Sequence, residues 1–291
     1  MIVFPRIIKI GLPQSLVFFI LFLLVNTHLN ARSLPLWELG IATGYASLPY
    51  YRGSASSRKF LVPLPLAIYR EKKPGFASNV KSRLYPRLLA SDKLTLGMSA
   101  GGMLPVPEGG TSGVRRGMPG LGATLELGPR LAMNLWEKAG QSFSLHLPLR
   151  AMLSLSPREI DAQGWVFAPY LYYSVKNFNP ENYRLKKGAN NGWQLNIAAG
   201  PQYGSRDFHA YYYAVNNQYA NNGRTAYIAT AGYSGSRVSV YAQKTINRLW
   251  LSVFARYDDL SGASFINSPL VEQEHALFGG FVVGWVFARS Y

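Results

Sequence analysis

The feature that most constrains the fold of this chain is a long alternation of bulky apolar residues with small or polar ones. From Leu121 to Leu135, the odd positions carry leucine, alanine, proline and methionine, whereas glycine, threonine, glutamate, arginine and asparagine predominate at the even positions. A second alternating stretch runs from Phe143 to Leu155. A period of two residues is typical of a β-strand that has one apolar face.

The length of these stretches favours a membrane barrel over a soluble sandwich. Strands of soluble sheets usually have about 5 or 6 residues, whereas a tilted strand that crosses a membrane needs about 9 to 11. Most residues on the second face are also small or uncharged, which fits a polar lumen inside a closed sheet. We therefore predict an all-β protein, an antiparallel transmembrane β-barrel.

The number of strands follows from the alternating segments and the turns between them. We predict strands at 36–47, 59–70, 77–88, 93–104, 121–136, 142–155, 163–176, 190–203, 235–246, 248–258 and 275–287. Bacterial single-chain barrels have an even number of strands. A further strand within the tyrosine-rich segment 204–234 would give twelve strands, which we favour. The alternative is ten, if the weakly patterned segment 77–88 is not a strand.

The N-terminus has the layout of a secretory signal peptide. Arg6 and Lys9 precede an unbroken apolar run from Leu16 to Val25, after which the sequence turns polar. That run is shorter than the roughly 20 residues that a membrane-spanning helix needs. We predict a signal peptide at 1–31, a barrel at 32–291 and a location in the outer membrane of a Gram-negative bacterium.

Composition excludes several kinds of chemistry. The chain has no cysteine and 4 histidines, which removes thiol chemistry, iron–sulfur clusters and cysteine-type zinc sites, so we expect no cofactor and no metal. The formal charge of +16 does not indicate nucleic-acid binding, because no basic stripe is interleaved with aromatic residues on one face. Basic residues concentrate between Arg52 and Lys93. We interpret them as lumen charges or as loop contacts with anionic lipopolysaccharide and other outer-membrane lipid; a patch for an acidic partner is a less favoured alternative.

Several segments carry a family resemblance. The residues Pro49, Tyr51, Arg52, Gly53 and Ser54 form one distinctive motif, and RYDDLSG at 256–262 forms another. Together with segments at 37–70, 115–131, 164–171, 248–271 and 284–287, they make the chain resemble the MipA/OmpV family of Gram-negative outer membranes. The basic stretch 71–91 departs from the family pattern.

The resemblance implies a function that the residues alone do not indicate. It implies a scaffold that joins a murein lytic transglycosylase to a peptidoglycan synthase at the outer membrane. Other members of the family are described as porin-like or as adhesin-like surface antigens. We therefore keep a narrow porin-like channel, or a surface adhesin, as alternatives to the scaffold.

Two sets of residues are candidates for chemistry. Ser144 and His146 share one side of a strand, but no acid or amide near them in the sequence would orient the imidazole, so we predict no catalytic residues and no enzyme. Arg256 and Asp258 share a strand face by the same period, and Asp259 follows. We predict that Arg256 and Asp258 pair inside the barrel mouth and hold the 258–274 loop over the lumen.

Overall fold

The computed structural model describes residues 37–69, 87–91, 93–108, 113–156, 159–179, 184–185, 192–221 and 223–290. The predicted signal peptide at 1–31 lies outside these residues. Within them, no helix has the length and apolarity required to cross a membrane.

Most of the described chain is β-strand. The strands are β1 (Trp37–Pro49), β2 (Ser57–Tyr69), β3 (Arg87–Ala90), β4 (Leu94–Met103), β5 (Ala123–Lys138), β6 (Gln141–Leu155), β7 (Ile160–Phe167), β8 (Tyr170–Asn179), β9 (Arg184–Leu185), β10 (Trp193–Gly204), β11 (Gly232–Ile246), β12 (Leu249–Asp259) and β13 (His275–Arg289). Among the residues that the structure describes, one α-helix, α1 (Arg206–Tyr213), and two short 3-10 helices, Gly113–Arg115 and Asn217–Tyr219, lie between strands.

All the strands belong to one antiparallel sheet. Its order is β2-β1-β13-β12-β11-β10-β7-β6-β5-β4-β3, and β8 pairs with β6, β10 and β9. The first strand pairs directly with the last, with Tyr45 opposite Phe281. The predicted end of the last strand at Phe287 is two residues short, because β13 continues to Arg289 and Ser290 donates from its backbone nitrogen to the Trp37 carbonyl.

The strand predicted at 163–176 is interrupted. The segments β7 and β8 lie between the same neighbours, β6 and β10, and only Ala168 and Pro169 separate them. Pro169 has no N–H group to offer the sheet. Gly200 on β10 permits the close approach there, since a β-carbon at Gly200 would collide with the Pro169 carbonyl.

When β7 and β8 are counted as one interrupted strand, the described part of the chain has twelve strands, the number predicted. The place predicted for the twelfth strand was wrong, however. In its described residues, segment 204–234 holds α1 and irregular chain between the end of β10 and the start of β11, and the remaining strand in the count is β9, a two-residue strand that pairs only with β8. Of the weakly patterned segment 77–88, only its last two residues lie in the described part of the chain, where they begin β3.

The wall of the barrel is apolar on the outside and polar within. On β1, Leu39 and Ile41 are 44% and 62% exposed, whereas the alternating Glu38 and Ala42 are 2% and 8% exposed. On β13, Leu277 is likewise 61% exposed while Val286 is buried. A soluble protein would bury the apolar face, so this arrangement requires a lipid surround.

Exposed aromatic residues mark both rims of the apolar band. Trp37 and Trp136 lie near one end of the barrel, and Trp165, Tyr203 and Tyr257 lie near the other, all of them at least 39% exposed. Such girdles sit at the two membrane–water interfaces of outer-membrane barrels.

The two ends of the barrel differ in their connections. At one end, which we call the turn end, the connections include Ala139–Gly140 and Asn247–Arg248, and Asn247 takes the positive φ of 56° that a tight turn needs. The other end, the loop end, carries the long connections 104–122, 205–231 and 260–274. Because outer-membrane barrels have short periplasmic turns and longer extracellular loops, the loop end is the extracellular one.

Candidate functional site: a loop plug above an arginine-lined cavity

The connections at the loop end fold together into an ordered cap, which we call the loop plug (residues 50–56, 104–108, 113–122, 205–221, 223–231 and 260–274). Its apolar core joins these loops to the inner faces of β6 and β7. The buried members of that core are Tyr51, Val106, Met152, Val166, Phe208, Tyr212, Tyr213, Leu260, Ala263 and Phe265. The loops are therefore packed against the barrel interior.

The helix α1 forms the centre of the loop plug. Ser205 caps its N-terminus by accepting a hydrogen bond from the Phe208 backbone nitrogen at 3.2 Å. The buried residues Phe208, His209, Tyr212 and Tyr213 recur at the spacing of one helix face. This spacing was visible in the sequence, and it is the signal that would have predicted a helix in place of a strand.

Tyr213 connects α1 to two other loops. Its ring stacks on Phe265 with the ring centres 3.7 Å apart. Its hydroxyl donates to the Arg52 carbonyl at 2.9 Å, and its own carbonyl accepts from Ser268 at 2.7 Å. One side chain and its backbone thus hold the β1–β2 loop and the β12–β13 loop together.

The motif at 49–54 acts as a clamp within the loop plug. Gly53 has a φ of 89°, and its carbonyl accepts from the backbone nitrogens of Glu272 and Gln273. Tyr51 donates to the Leu270 carbonyl at 2.8 Å, and the Ser54 carbonyl accepts from the Gln273 side chain at 2.8 Å.

Pro49 is the last residue of β1, so the motif begins where the strand ends. The residues chosen from the sequence as distinctive therefore make backbone-directed contacts with a loop more than 200 residues away.

Asp258 is the charged centre beneath the loop plug. It is 2% exposed and accepts two hydrogen bonds from Arg256, Nε to Oδ1 and Nη2 to Oδ2, each of 3.0 Å. Arg52 lies 3.5 Å and Arg237 4.0 Å from the same carboxylate. Arg52 also donates to the carbonyls of Ser234 and Ser236, so it links the clamp to β11.

The structure brings the predicted residues Arg256 and Asp258 together on the inner face, but it places Asp259 elsewhere. Asp259 accepts from the Ser261 backbone nitrogen at 2.9 Å and lies 3.4 Å from His275, with 38% of its side chain exposed. Arg52 and Arg237 were not predicted as partners of Asp258. Arg237 stands directly opposite Asp258 in the β11–β12 register, which the sequence does not specify.

A second ion pair joins β5 and β6 on the inner face of the barrel. Arg150 donates to Glu126 at 2.9 Å and to Ser99 at 3.3 Å, and both charged residues are 9% exposed. Both side chains point into the interior of the barrel. Gly101 lies against the pair, since a β-carbon there would come within 2.8 Å of the Glu126 carboxylate.

The space enclosed by these groups is a cavity of about 380 Å³. Its walls come from strands in both halves of the sheet, and its roof is formed by Tyr50, α1 and Phe265. Five arginines line it, Arg52, Arg58, Arg150, Arg237 and Arg256, together with the carboxylates of Glu126 and Asp258.

Burial favours the neutral forms of Tyr51, Tyr213 and His209 in the loop plug. Desolvation raises the pKa of Tyr51 and that of Tyr213 well above the usual value. It lowers the pKa of His209, and Arg52 lowers this pKa further. The neutral His209 ring lies 2.6 Å from both the Thr230 carbonyl and the Ser234 hydroxyl, so it is tightly held between two polar partners.

Ser144 and His146 do meet, as their spacing allows. Ser144 Oγ lies 2.8 Å from His146 Nε2, and the imidazole stacks on Tyr170 with ring centres 4.8 Å apart. Among the described residues, nothing hydrogen-bonds the other ring nitrogen, so the third group of a catalytic triad is missing there. The part of the chain that the structure covers also contains no group of three or more potential metal ligands.

Comparison with protein families matches residues 39–287 to the family described as MltA-interacting protein MipA. The chain belongs to this family. The match covers the clamp motif at 49–54, the motif at 256–262 and nearly the whole barrel, and with the lipid-facing wall it places this MipA-family protein in the Gram-negative outer membrane. A search of curated proteins finds no match to the chain.

Solved structures similar to this MipA-family chain are outer-membrane proteins. A NanC porin structure has 9% identity and a TM-score of 0.33, covering 86% of this chain and 99% of that chain. An outer membrane channel from Pseudomonas putida F1 has 12% identity and a TM-score of 0.29, covering 90% and 100%. The outer membrane protein OprG from Pseudomonas aeruginosa has 10% identity and a TM-score of 0.20, covering 86% and 93%. Likeness at this level transfers neither a substrate nor a transport activity.

Proposed function

We propose that this chain is a non-enzymatic scaffold of the outer membrane that holds a murein lytic transglycosylase beside a peptidoglycan synthase. The observation that carries the proposal is membership of the MltA-interacting protein family over residues 39–287. The loop plug supports it, because a barrel whose mouth is filled by packed side chains is poorly suited to bulk diffusion. We also propose that residues 1–31 are a signal peptide that is removed during export.

The partner enzyme would meet the turn end, which faces the periplasm. Two exposed basic residues, Lys138 and Arg248, lie at its tight turns. At the other rim, Lys59 is exposed on the same face of β2 as Leu61, which is 73% exposed to lipid. We propose that Lys59 contacts the anionic headgroups of lipopolysaccharide.

The test of the scaffold is direct binding between purified components. The full-length mature barrel in detergent is immobilised, and a purified MltA-class transglycosylase is passed over it. We expect saturable binding that the Lys138→Glu/Arg248→Glu variant weakens. Arg206→Glu, at an exposed position on α1 at the loop end, is the matched control and should bind as wild type does. Absence of saturable binding by protein that still shows heat-modifiable gel migration would contradict the proposal.

The second candidate is a narrow diffusion channel. The observation that favours it is the cavity of about 380 Å³ inside the barrel. Barrels of about eight strands are filled by side chains, whereas open porins have about sixteen, so twelve strands allow only a narrow path. Planar-bilayer recording separates the two candidates, because a steady open conductance would favour the channel.

A further inference from the structure

The cavity beneath the loop plug lies inside the barrel, out of reach of lipid. Arg58 and Phe60 come from β2, Glu126 from β5 and Arg150 from β6, while Arg237 comes from β11 on the opposite side. Because strands from both halves of the sheet form its walls, only a molecule in the lumen can enter it. Its volume is within the range of about 300 to 1,000 Å³ that is usual for small-molecule sites.

The charges of the described lining residues do not balance. Five arginines face two carboxylates, which leaves three positive charges in excess. Arg150 is paired with Glu126, and Arg256 is paired with Asp258. Arg58 hydrogen-bonds only the Pro105 carbonyl among the described residues, so its charge has no carboxylate partner there. An excess of positive charge in a partly enclosed cavity favours a bound anion.

The guanidinium groups also keep donors that their present partners do not use. Each guanidinium has five N–H donors. Arg256 offers Nε and Nη2 to Asp258, and Arg150 offers Nε to Glu126 and Nη1 to Ser99. Within the described part of the chain, this leaves Nη1 of Arg256 and Nη2 of Arg150 available. The planar fork of a guanidinium matches carboxylate and phosphate oxygens.

Aromatic rings complete the lining and hold two of the arginines in place. Arg58 lies over the Tyr50 ring, 4.3 Å from its centre, and Arg256 lies over the Phe278 ring at 5.2 Å. Phe60 and Phe265 add further apolar surface. A ligand in this cavity would therefore meet cationic donors on some sides and ring faces on others.

We propose that this cavity is a binding site for a free small organic acid, with a carboxylate or phosphate group on a compact body of about sugar size. The anionic group would be held by arginines of the lining, namely Arg58, Arg150, Arg237 and Arg256, and the body would rest on Phe60 and Phe278. This function goes beyond the scaffold and does not depend on it, since the scaffold is assigned to the turn end.

The test is calorimetric titration of the mature full-length barrel in detergent. The probes are sodium glucuronate and inorganic phosphate, and glucose is the neutral match for glucuronate. We expect saturable binding of at least one anion, no binding of glucose, and weaker binding as salt rises. Arg237→Gln and Arg58→Gln should each lower the affinity for the anion by about tenfold or more, because each substitution removes a charged donor.

Arg206→Gln is the matched control, because Arg206 is an exposed arginine outside the cavity lining. Every variant is first checked for heat-modifiable migration, so that loss of binding is not loss of fold. The proposal is wrong if neither anion binds more tightly than about 10 mM, or if the arginine variants bind as Arg206→Gln does. Failure of transglycosylase binding in the separate assay would leave this result unaffected.

Discussion

Replacing Asp258 by alanine should loosen the loop plug and leave the barrel intact. The carboxylate is 2% exposed and lies within 4.0 Å of Arg52, Arg237 and Arg256. Its removal leaves three guanidinium groups facing one another in a poorly solvated space. Breaking a buried ion pair by removing one partner costs about 3 to 5 kcal/mol.

The lower end of that range applies, because Arg237 and Arg256 keep 28% and 26% of their side chains exposed and water can screen part of the charge. A cost of about 3 kcal/mol shifts the equilibrium between closed and open loop plug on the order of a hundredfold. The effect reaches the loops through Arg52, whose position fixes the clamp on the 260–274 loop.

The assay is limited proteolysis of the purified barrel in detergent, with cleavage within 260–274 identified by mass spectrometry. Asp258→Ala should be cut much faster than wild type, while its heat-modifiable migration is unchanged. Asp259→Ala is the control, because Asp259 is partly exposed and its loss should cost about 1 kcal/mol or less. A loop in Asp258→Ala that is as protected as in wild type would refute the reasoning.

Three other predictions use the same proteolysis assay. Phe265→Ala should expose the 260–274 loop to protease, because Phe265 is only 1% exposed and stacks on Tyr213. Loss of a buried phenylalanine costs about 3 to 5 kcal/mol of stability. Unchanged protection would show that the ring stack is dispensable. Gly53→Ala should weaken the clamp by about 1 to 2 kcal/mol, because φ is 89° and the new β-carbon would press on Leu260 and Val271; cutting at the wild-type rate would count against a strained backbone. The pKa of His209 is lower in the folded protein than in the unfolded chain, so its contribution is complete above the unfolded pKa of about 6.5 and is lost as pH falls below it. Cleavage should therefore accelerate between pH 7.5 and 5.5 in wild type and change less in His209→Gln; equal pH responses would exclude His209 as the cause.

Local alternation was enough to predict the barrel. The lipid surrounds the whole barrel, so the outward-facing residues are apolar in every strand. The alternation can therefore be recognised within a single strand, without knowledge of its neighbours. The prediction that Ser144 and His146 share one side of a strand needed only the same rule. The interruption at Pro169 could also have been inferred, since proline cannot pair with both neighbouring strands.

The loop plug could not be predicted in the same way. Segment 204–234 is rich in tyrosine, which favours strands, and this preference concealed the helical spacing of the buried side chains in α1. The partners of Asp258 depend on non-local geometry. Arg237 reaches it through strand register, and Arg52 reaches it because the first strand lies next to the last.

The clamp also indicates when the barrel has finished assembling. Tyr51 follows the first strand, whereas Leu270, which accepts its hydrogen bond, precedes the last. These two segments become neighbours only when β13 has added to β1 and the seam between the chain ends is sealed. Protease resistance of the 260–274 loop therefore reports a completed seam, and an assembly intermediate with an open seam would be cut there even if every other hairpin had formed.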